Sequence, residues 1–190
     1  GLIAFFLLIH STVNRPDAWL YHLPYSKILN EHKIILGVSN IHTRFAHISI
    51  FQYISSFFYN YLFLYNGLLI PISLVAAFFF LFTYNEFKKN IFYKKTTIYS
   101  YFNFLILILS LYAFNRYSEY GNDAQSHFFY FFFTILILRY VLVEKNIDTI
   151  KELFLISIFI FFTKPTFIVV LLIPFFLFLN LKKKRDFLKS

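Results

Sequence analysis

Apolar stretches of helical length follow one another from residue 67 onward. They cover Gly67–Thr83, Thr96–Phe114, Ser126–Val143 and Leu153–Leu181. A helix needs about 20 apolar residues to cross a bilayer, and the first three stretches are close to that length. The fourth is longer, but Lys164 and Pro165 interrupt it, and proline ends or kinks a helix. We therefore predict two short helices, over residues 153–163 and 166–181, with one kinked helix as the alternative.

The apolar residues of the first 65 positions follow a different pattern, with a short apolar start and a later amphipathic stretch. Residues 1–10 are apolar but too short to cross a bilayer, so we interpret them as the end of a first transmembrane helix in a longer protein. Residues 11–65 then form an outer loop with helices beside the membrane. Within this loop, residues 48–65 alternate apolar and polar positions at helical spacing, which predicts an amphipathic helix lying at the interface. Residues 66–190 form a transmembrane helical bundle of about five spans or partial spans.

Composition agrees with this all-α, polytopic membrane fold. The chain is 59% hydrophobic, 24% aromatic and only 14% charged. A soluble domain carries about 25% charged residues, so the departure is toward a membrane protein. Cysteine is absent, which excludes disulfides, thiolate metal sites and a cysteine nucleophile.

The net charge of +9 would indicate nucleic acid in a soluble protein, but here its distribution indicates topology and no nucleic-acid partner. Eleven of the 18 Lys and Arg residues lie in 84–95, 144–152 and 182–190, with four, two and five respectively. Basic residues are enriched in cytoplasmic connections. We therefore predict that these three segments are cytoplasmic and that residues 11–47 and 115–125 lie outside.

The first candidate for chemistry is Asp17, at the start of a predicted helix beside the membrane. A carboxylate there is either a general base for an acceptor hydroxyl or a helix N-cap, and one residue can do both. Tyr21 and His22 follow it within about one turn and are candidate substrate-binding residues. His22 would shape the pKa of the carboxyl group or contact a phosphate, or it is a polar surface residue.

The second group of candidates comes from later in the chain. Asp123 caps the helix after it, or it assists Asp17, or the two carboxylates hold a divalent cation. Lys164 lies within an apolar stretch, where a charge is costly and often functional. With Arg44 or Arg15 it would bind the phosphate of a lipid-linked donor; the alternative is that Lys164 extends to the headgroups. No glycine-rich nucleotide loop is present among the 4 glycines, which fits a lipid-linked donor.

The order of these features resembles the N-terminal module of GT-C-fold glycosyltransferases, which include protein O-mannosyltransferases, aminoarabinose transferases and oligosaccharyltransferases. Three short stretches are similar to bacterial membrane proteins of this type: Pro16–Pro24, Asn40–Phe45 and Thr163–Thr166. The resemblance implies that Asp17 is the catalytic carboxylate of the outer loop and Asp123 the acidic residue of the second loop. Many members carry a second acid beside the first, whereas Ala18 and Trp19 follow here, which leaves metal dependence open.

The resemblance implies an integral membrane glycosyltransferase that moves a sugar from a polyprenyl-phosphate carrier to an acceptor at the outer face of a bacterial inner membrane. Its partners would be the lipid-linked donor and membrane lipids, and its cofactor would be none or a divalent cation. One alternative is a polymerase or ligase of surface polysaccharide, which would depend on Arg44 and the histidines. The other is a transporter or a non-catalytic membrane subunit.

Overall fold

The computed structural model describes residues 2–3, 5–6, 16–32, 35–46, 49–92, 98–112, 120–121 and 123–187. The described residues form helices and turns, without a strand, so the all-α fold class is confirmed. The predicted end of a first transmembrane helix, residues 1–10, lies largely outside the described residues. The division of the chain at residues 10 and 65 stays a prediction.

The amino-terminal part consists of short helices. A π-helical turn, Ala18–His22, leads directly into α1, Leu23–Glu31. Two short 3₁₀ helices, a helix α2 and a single-turn helix α3 follow: Val38–Asn40, Thr43–Ala46, Ile50–Ser56 and Leu64–Gly67. Tyr21, Tyr25 and Phe45 form a small buried cluster that holds this part together.

The carboxy-terminal part is a bundle of longer helices. They are α4 Ile70–Phe92, α5 Ile98–Tyr112, α6 Asp123–Leu142, α7 Ile147–Thr163, a 3₁₀ segment Pro165–Leu171 and α8 Leu172–Phe187. Phe79 of α4 is fully buried and its ring packs against Phe128 and Phe132 of α6. A second buried cluster joins α6 to α7 and the 3₁₀ segment through residues such as Leu136 and Leu153.

Two of these helices are long and apolar enough to cross a membrane. By length and composition they are Ile70–Lys89 and Asp123–Leu142, each of 20 residues. Ile98–Tyr112 and Pro165–Leu181 are apolar but shorter. About five spans or partial spans were predicted. In the described part of the chain, two helices have the length and composition of a span.

Several predicted boundaries were wrong. Helix α4 continues through Lys88 and Lys89 to Phe92, although residues 84–95 were predicted to connect two helices. Helix α7 begins at Ile147 and has 17 residues, so the predicted short helix over 153–163 was too short. The side chain of Asn146 accepts a hydrogen bond from the backbone N–H of Asp148 and starts α7 early. The break at Lys164 and Pro165 is confirmed, and the single kinked helix is excluded.

The prediction of one amphipathic helix over residues 48–65 was also wrong. The segment is α2, an irregular turn and α3. The side-chain oxygen of Asn60 accepts hydrogen bonds from the N–H groups of Leu62 and Phe63, at 3.0 and 3.1 Å, which stabilises the turn in place of a helix. The backbone is strained where the turn meets α3, because φ of Leu64 is 48°.

The charged ends of the helices collect at the two ends of the bundle. At one end, Glu86 accepts hydrogen bonds from Tyr99 and Lys89, and Arg139 pairs with Glu144 at 3.3 Å. The Glu86 carboxylate also interacts electrostatically with the Arg139 guanidinium. At the other end, Lys164 pairs with Asp123, so α6 and α7 run in opposite directions.

Candidate functional site

The π-helical turn Ala18–His22 presents the first group of predicted site residues. Its backbone is wound more widely than an α-helix, a feature often found at functional sites. Tyr21 and His22 lie on it with ring centroids 4.2 Å apart. Asp17 precedes the turn, has helical backbone angles and makes no side-chain capping hydrogen bond. The alternative role of Asp17 as a helix N-cap was therefore wrong.

Tyr21 joins Asp17 to Arg44. The Arg44 guanidinium donates a hydrogen bond to the Tyr21 hydroxyl at 3.1 Å. Burial and the Asp17 carboxylate both raise the pKa of Tyr21, so its hydroxyl stays protonated at neutral pH. The His42 ring stacks on Tyr21, and its Nδ1 accepts the backbone N–H of Arg44 at 3.2 Å. These contacts fix Arg44, whose side chain is otherwise exposed, near Asp17.

His22 is largely buried at the centre of the group. Burial disfavours the charged imidazolium and lowers the pKa of His22 from 6.5 to about 4. Asp17 and Asp123 act in the opposite direction and raise this pKa, while Arg44 lowers it further. Desolvation is the largest of these effects, so His22 is a neutral imidazole at pH 7 and not a cation for phosphate.

Gly121 brings the second loop against His22. A Cβ atom added at Gly121 would lie 3.2 Å from Nε2 of His22, so a larger residue would push the ring. On the other side, Nε2 of Gln52 lies 3.5 Å from Nδ1 of His22. The Gln52 amide therefore faces Nδ1 of His22, and Nε2 faces Gly121.

Asp123 and Lys164 form the last part of the group. Nζ of Lys164 lies 2.7 Å from Oδ1 of Asp123, so the lysine binds a carboxylate and does not simply extend to headgroups. Asp123 begins α6, and Lys164 follows the last residue of α7. Both side chains are substantially exposed, and an exposed pair of this kind stabilises a fold by at most about 1 kcal/mol.

Direct contacts join Arg44 to Tyr21, Tyr21 to His22, and Lys164 to Asp123. Asp17 acts on both Tyr21 and His22, and Asp123 acts on His22, so all six predicted site residues belong to one neighbourhood: Asp17, Tyr21, His22, Arg44, Asp123 and Lys164. Arg15, the alternative to Arg44, lies outside the described residues. Among the described residues, no group of three or more His, Cys, Asp or Glu side chains is arranged to hold a metal ion. The assignment of a divalent cation to Asp17 and Asp123 stays a prediction.

Three buried or closely packed residues of this region were not predicted from the sequence: Gln52 and Gly121, which contact His22, and Gln125, which lines a small pocket together with Gln52. Gln52 lies in the stretch predicted to form an amphipathic helix at the interface, and its side chain is buried. A signal was present, since Gln52 and Gln125 are the two glutamines of the whole chain. An amide that recurs so rarely in an apolar sequence is a candidate for a specific hydrogen bond.

The chain belongs to the family described as "Domain of unknown function (DUF8201)", whose model matches residues 1–190. No curated protein and no solved structure matches the chain.

Proposed function

We propose that the protein is an integral membrane glycosyltransferase of GT-C type. It moves a sugar from a polyprenyl-phosphate carrier to an acceptor at the outer face of a bacterial inner membrane. One observation carries the proposal: four separate segments bring six chemically suitable side chains to one end of the helical bundle. They come from residues 17–22, from Arg44, from Asp123 and from Lys164.

In this proposal Asp17 is the general base. Its exposed carboxylate takes the proton from an acceptor hydroxyl while the hydroxyl oxygen forms a bond to the anomeric carbon. The bond from that carbon to the carrier phosphate breaks, and the phosphate leaves with the electron pair. Arg44, held by Tyr21, and Lys164 stabilise the negative charge on the leaving phosphate. A lysine ammonium has three donors, so Lys164 can bind Asp123 and a phosphate oxygen together.

His22 and Asp123 assist without changing charge. The neutral His22 offers its one ring N–H to an oxygen of the substrate, because its low pKa keeps the imidazole uncharged. Asp123 orients Lys164 through their 2.7 Å contact. Since the lysine already compensates one of the two carboxylates, the proposed reaction needs no step through a metal ion.

The surface of the helices supports a membrane location. Helix α5 buries its polar residues Ser100, Asn103 and Ser110 and exposes Leu105 and Leu109, the reverse of a helix in water. Helices packed in lipid place small and polar residues between them. The described chain also exposes large side chains near the proposed site: Trp19 and Leu20 on the π-helical turn, and Phe57, Tyr61 and Leu62 beyond α2. Trp and Tyr are enriched where proteins meet the headgroup zone.

The first prediction concerns Asp17→Asn. We expect this variant, reconstituted in proteoliposomes, to lose sugar transfer from radiolabelled undecaprenyl-phosphate hexoses and pentoses to cell-envelope acceptor. The loss should be about 100-fold or more, because positioned general bases contribute that much. Asp148→Asn is the matched control, because Asp148 is an exposed carboxylate paired with Lys151 near the opposite end of α7.

The outcome of the same assay distinguishes the alternatives. Near-normal transfer by Asp17→Asn, with loss of transfer by Arg44→Ala, would replace the proposal with polysaccharide polymerase or ligase chemistry. Movement of the labelled donor across the bilayer without any transferred product would replace it with transport.

A further inference from the structure

The turn over residues 57–63 exposes a row of large apolar side chains. Leu64, the first residue of α3, continues the row, and the exposed fractions run from 50% to 85% for Phe57, Tyr61, Leu62, Phe63 and Leu64. A contiguous apolar surface of this kind marks a contact with a membrane or with another protein. The surroundings of the turn favour a membrane.

A long stretch of the chain around the turn carries no charge. Residues 48–85 contain no Asp, Glu, Lys, Arg or His, and they include α2, the turn, α3 and most of α4, a helix of spanning length. Along its own surface α4 exposes Leu74, Phe78 and Leu81. A charged side chain is costly in hydrocarbon, whereas an interface with another protein commonly has a polar rim. The stretch therefore has the composition of a segment that faces lipid.

The backbone of the turn is supplied with hydrogen-bond partners from within the protein. The N–H groups of five residues have acceptors inside the segment: Phe58, Tyr59, Leu62, Phe63 and Leu64. Asn60 accepts three of these bonds, two on its side-chain oxygen and one on its carbonyl oxygen. From α1, the Asn30 side chain donates to the carbonyl oxygens of Ser56 and Tyr59. Because backbone groups without partners are costly where water is scarce, these bonds suit the turn to the membrane boundary.

The π-helical turn borders the same surface. The ring of Trp19 is 55% exposed and packs edge-on against Tyr65 of α3, with the ring centroids 5.6 Å apart. Leu20, the next residue, is 63% exposed. Trp and Tyr are enriched at the headgroup zone of membrane proteins. Since Trp19 is two residues from Asp17 and two from Tyr21, the surface reaches the segment that carries the proposed base.

We propose that the turn over residues 57–63, with Leu64, Trp19 and Leu20, is a lipid-contact surface. Its side chains enter the boundary between headgroups and acyl chains in the leaflet nearest the proposed site, and phospholipid is the occupant. The contact of Trp19 with Tyr65 carries this depth to the π-helical turn and holds Asp17 at the level of the lipid phosphates. The inference rests on the membrane location within the proposed function, adds the surface that sets the height of the site, and does not depend on the sugar-transfer chemistry.

Trp19 is the one tryptophan of the chain, so its fluorescence reports the depth of the π-helical turn. We reconstitute the full chain in phosphatidylcholine vesicles brominated on the acyl chains, either near the headgroup or near the chain end. We expect Trp19 to lose more fluorescence with bromine near the headgroup. Leu62→Trp, made together with Trp19→Phe, reports on the turn itself and should show the same order.

Two positions in the same Trp19→Phe background calibrate the measurement. Phe78→Trp lies near the middle of the spanning helix α4 and should lose more fluorescence with bromine near the chain end. Glu31→Trp replaces an exposed carboxylate at the end of α1 and should lose little with either lipid, because a carboxylate marks the water side.

A further pair of variants tests the connection between the turn and the site. Leu62→Asp places a charge on the lipid-contact surface and should reduce the quenching of Trp19 by bromine near the headgroup. Leu62→Ala removes the same side chain without adding a charge and should leave that quenching unchanged. Equal quenching of Trp19 in both variants would overturn the proposed coupling of depth.

Quenching of Leu62→Trp no stronger than that of Glu31→Trp, while Phe78→Trp is quenched, would overturn the lipid-contact surface and leave the membrane location intact. Protection of Leu62→Trp from both brominated lipid and aqueous acrylamide would overturn it too, because a second copy or another protein would then cover the turn. Absence of quenching at Phe78→Trp as well would contradict the membrane location itself, and with it the proposed function.

Discussion

His22 shows how burial decides the chemistry of a single residue. Two carboxylates, Asp17 and Asp123, favour its protonated form, and yet its pKa falls to about 4 because the ring is removed from water. A histidine beside two acids would be assigned a positive charge from the sequence. The structure makes it a neutral hydrogen-bonding group, whose protonation is coupled to folding.

The second prediction follows from that coupling. The unfolded chain binds a proton at His22 below about pH 6.5 and the folded chain only below about pH 4. Stability is therefore complete above pH 6.5 and is lost as pH falls from 6.5 to 4, by up to roughly 3 kcal/mol. We expect the melting temperature in detergent to fall across this range, and His22→Asn to reduce the fall.

His32→Asn is the control for that measurement, because His32 is an exposed residue at the end of α1. It should melt with the pH dependence of the unmodified chain. An equal pH dependence in His22→Asn would contradict the assignment of a buried neutral imidazole.

At the level of single residues, the sequence predicted which charged residues are candidates for a site but not how they pair. Asp17 and Asp123 were candidates because each starts a helix, and Lys164 because it interrupts an apolar stretch. The pairing of Lys164 with Asp123 depends on how α6 and α7 pack, and no local pattern encodes it. Gln52 and Gln125 are 73 residues apart and become a pair only when α2 contacts α6.

Among the elements, the segment from α2 to α3 departs furthest from the helical pattern of its sequence. The polar residues Ser49, Gln52 and Ser55 of that pattern are buried in the protein. Helical periodicity separates two faces of a helix but does not say which face packs against the rest of the protein. Asn30 of α1 stabilises the turn after α2 by donating to the carbonyl oxygens of Ser56 and Tyr59.

The third prediction concerns Gly67, at the end of α3. A Cβ atom there would lie 1.9 Å from the backbone oxygen of Phe58, so the turn approaches α3 too closely for any side chain. We expect Gly67→Ala to destabilise the fold by about 2 kcal/mol or more, measured as a lower melting temperature in detergent.

Asn66→Ala is the neighbouring control, because Asn66 is exposed and should tolerate the change. A Gly67→Ala protein that melts like the unmodified chain would mean that the turn over residues 57–63 is not held against α3.

At the scale of the whole molecule, the alternation of helices was predictable because apolar stretches and charged connections follow each other along the chain. The structure places Glu86, Arg139 and Glu144 at one end and Asp123 and Lys164 at the other, as that alternation requires. The lengths of the helices were less predictable. Polar residues at the end of α4 and the start of α7 continue the helices beyond the apolar stretches, since a helix does not end where hydrophobicity ends.

The proposed function depends most on which side of the membrane holds the site. The chain has no cysteine, so Asp17→Cys and Asp148→Cys each introduce a unique thiol at opposite ends of the bundle. We expect a membrane-impermeant maleimide to label residue 17 in intact cells, and to label residue 148 only after the membrane is opened. Labelling of residue 148 in intact cells, with residue 17 protected until the membrane is opened, would contradict the account.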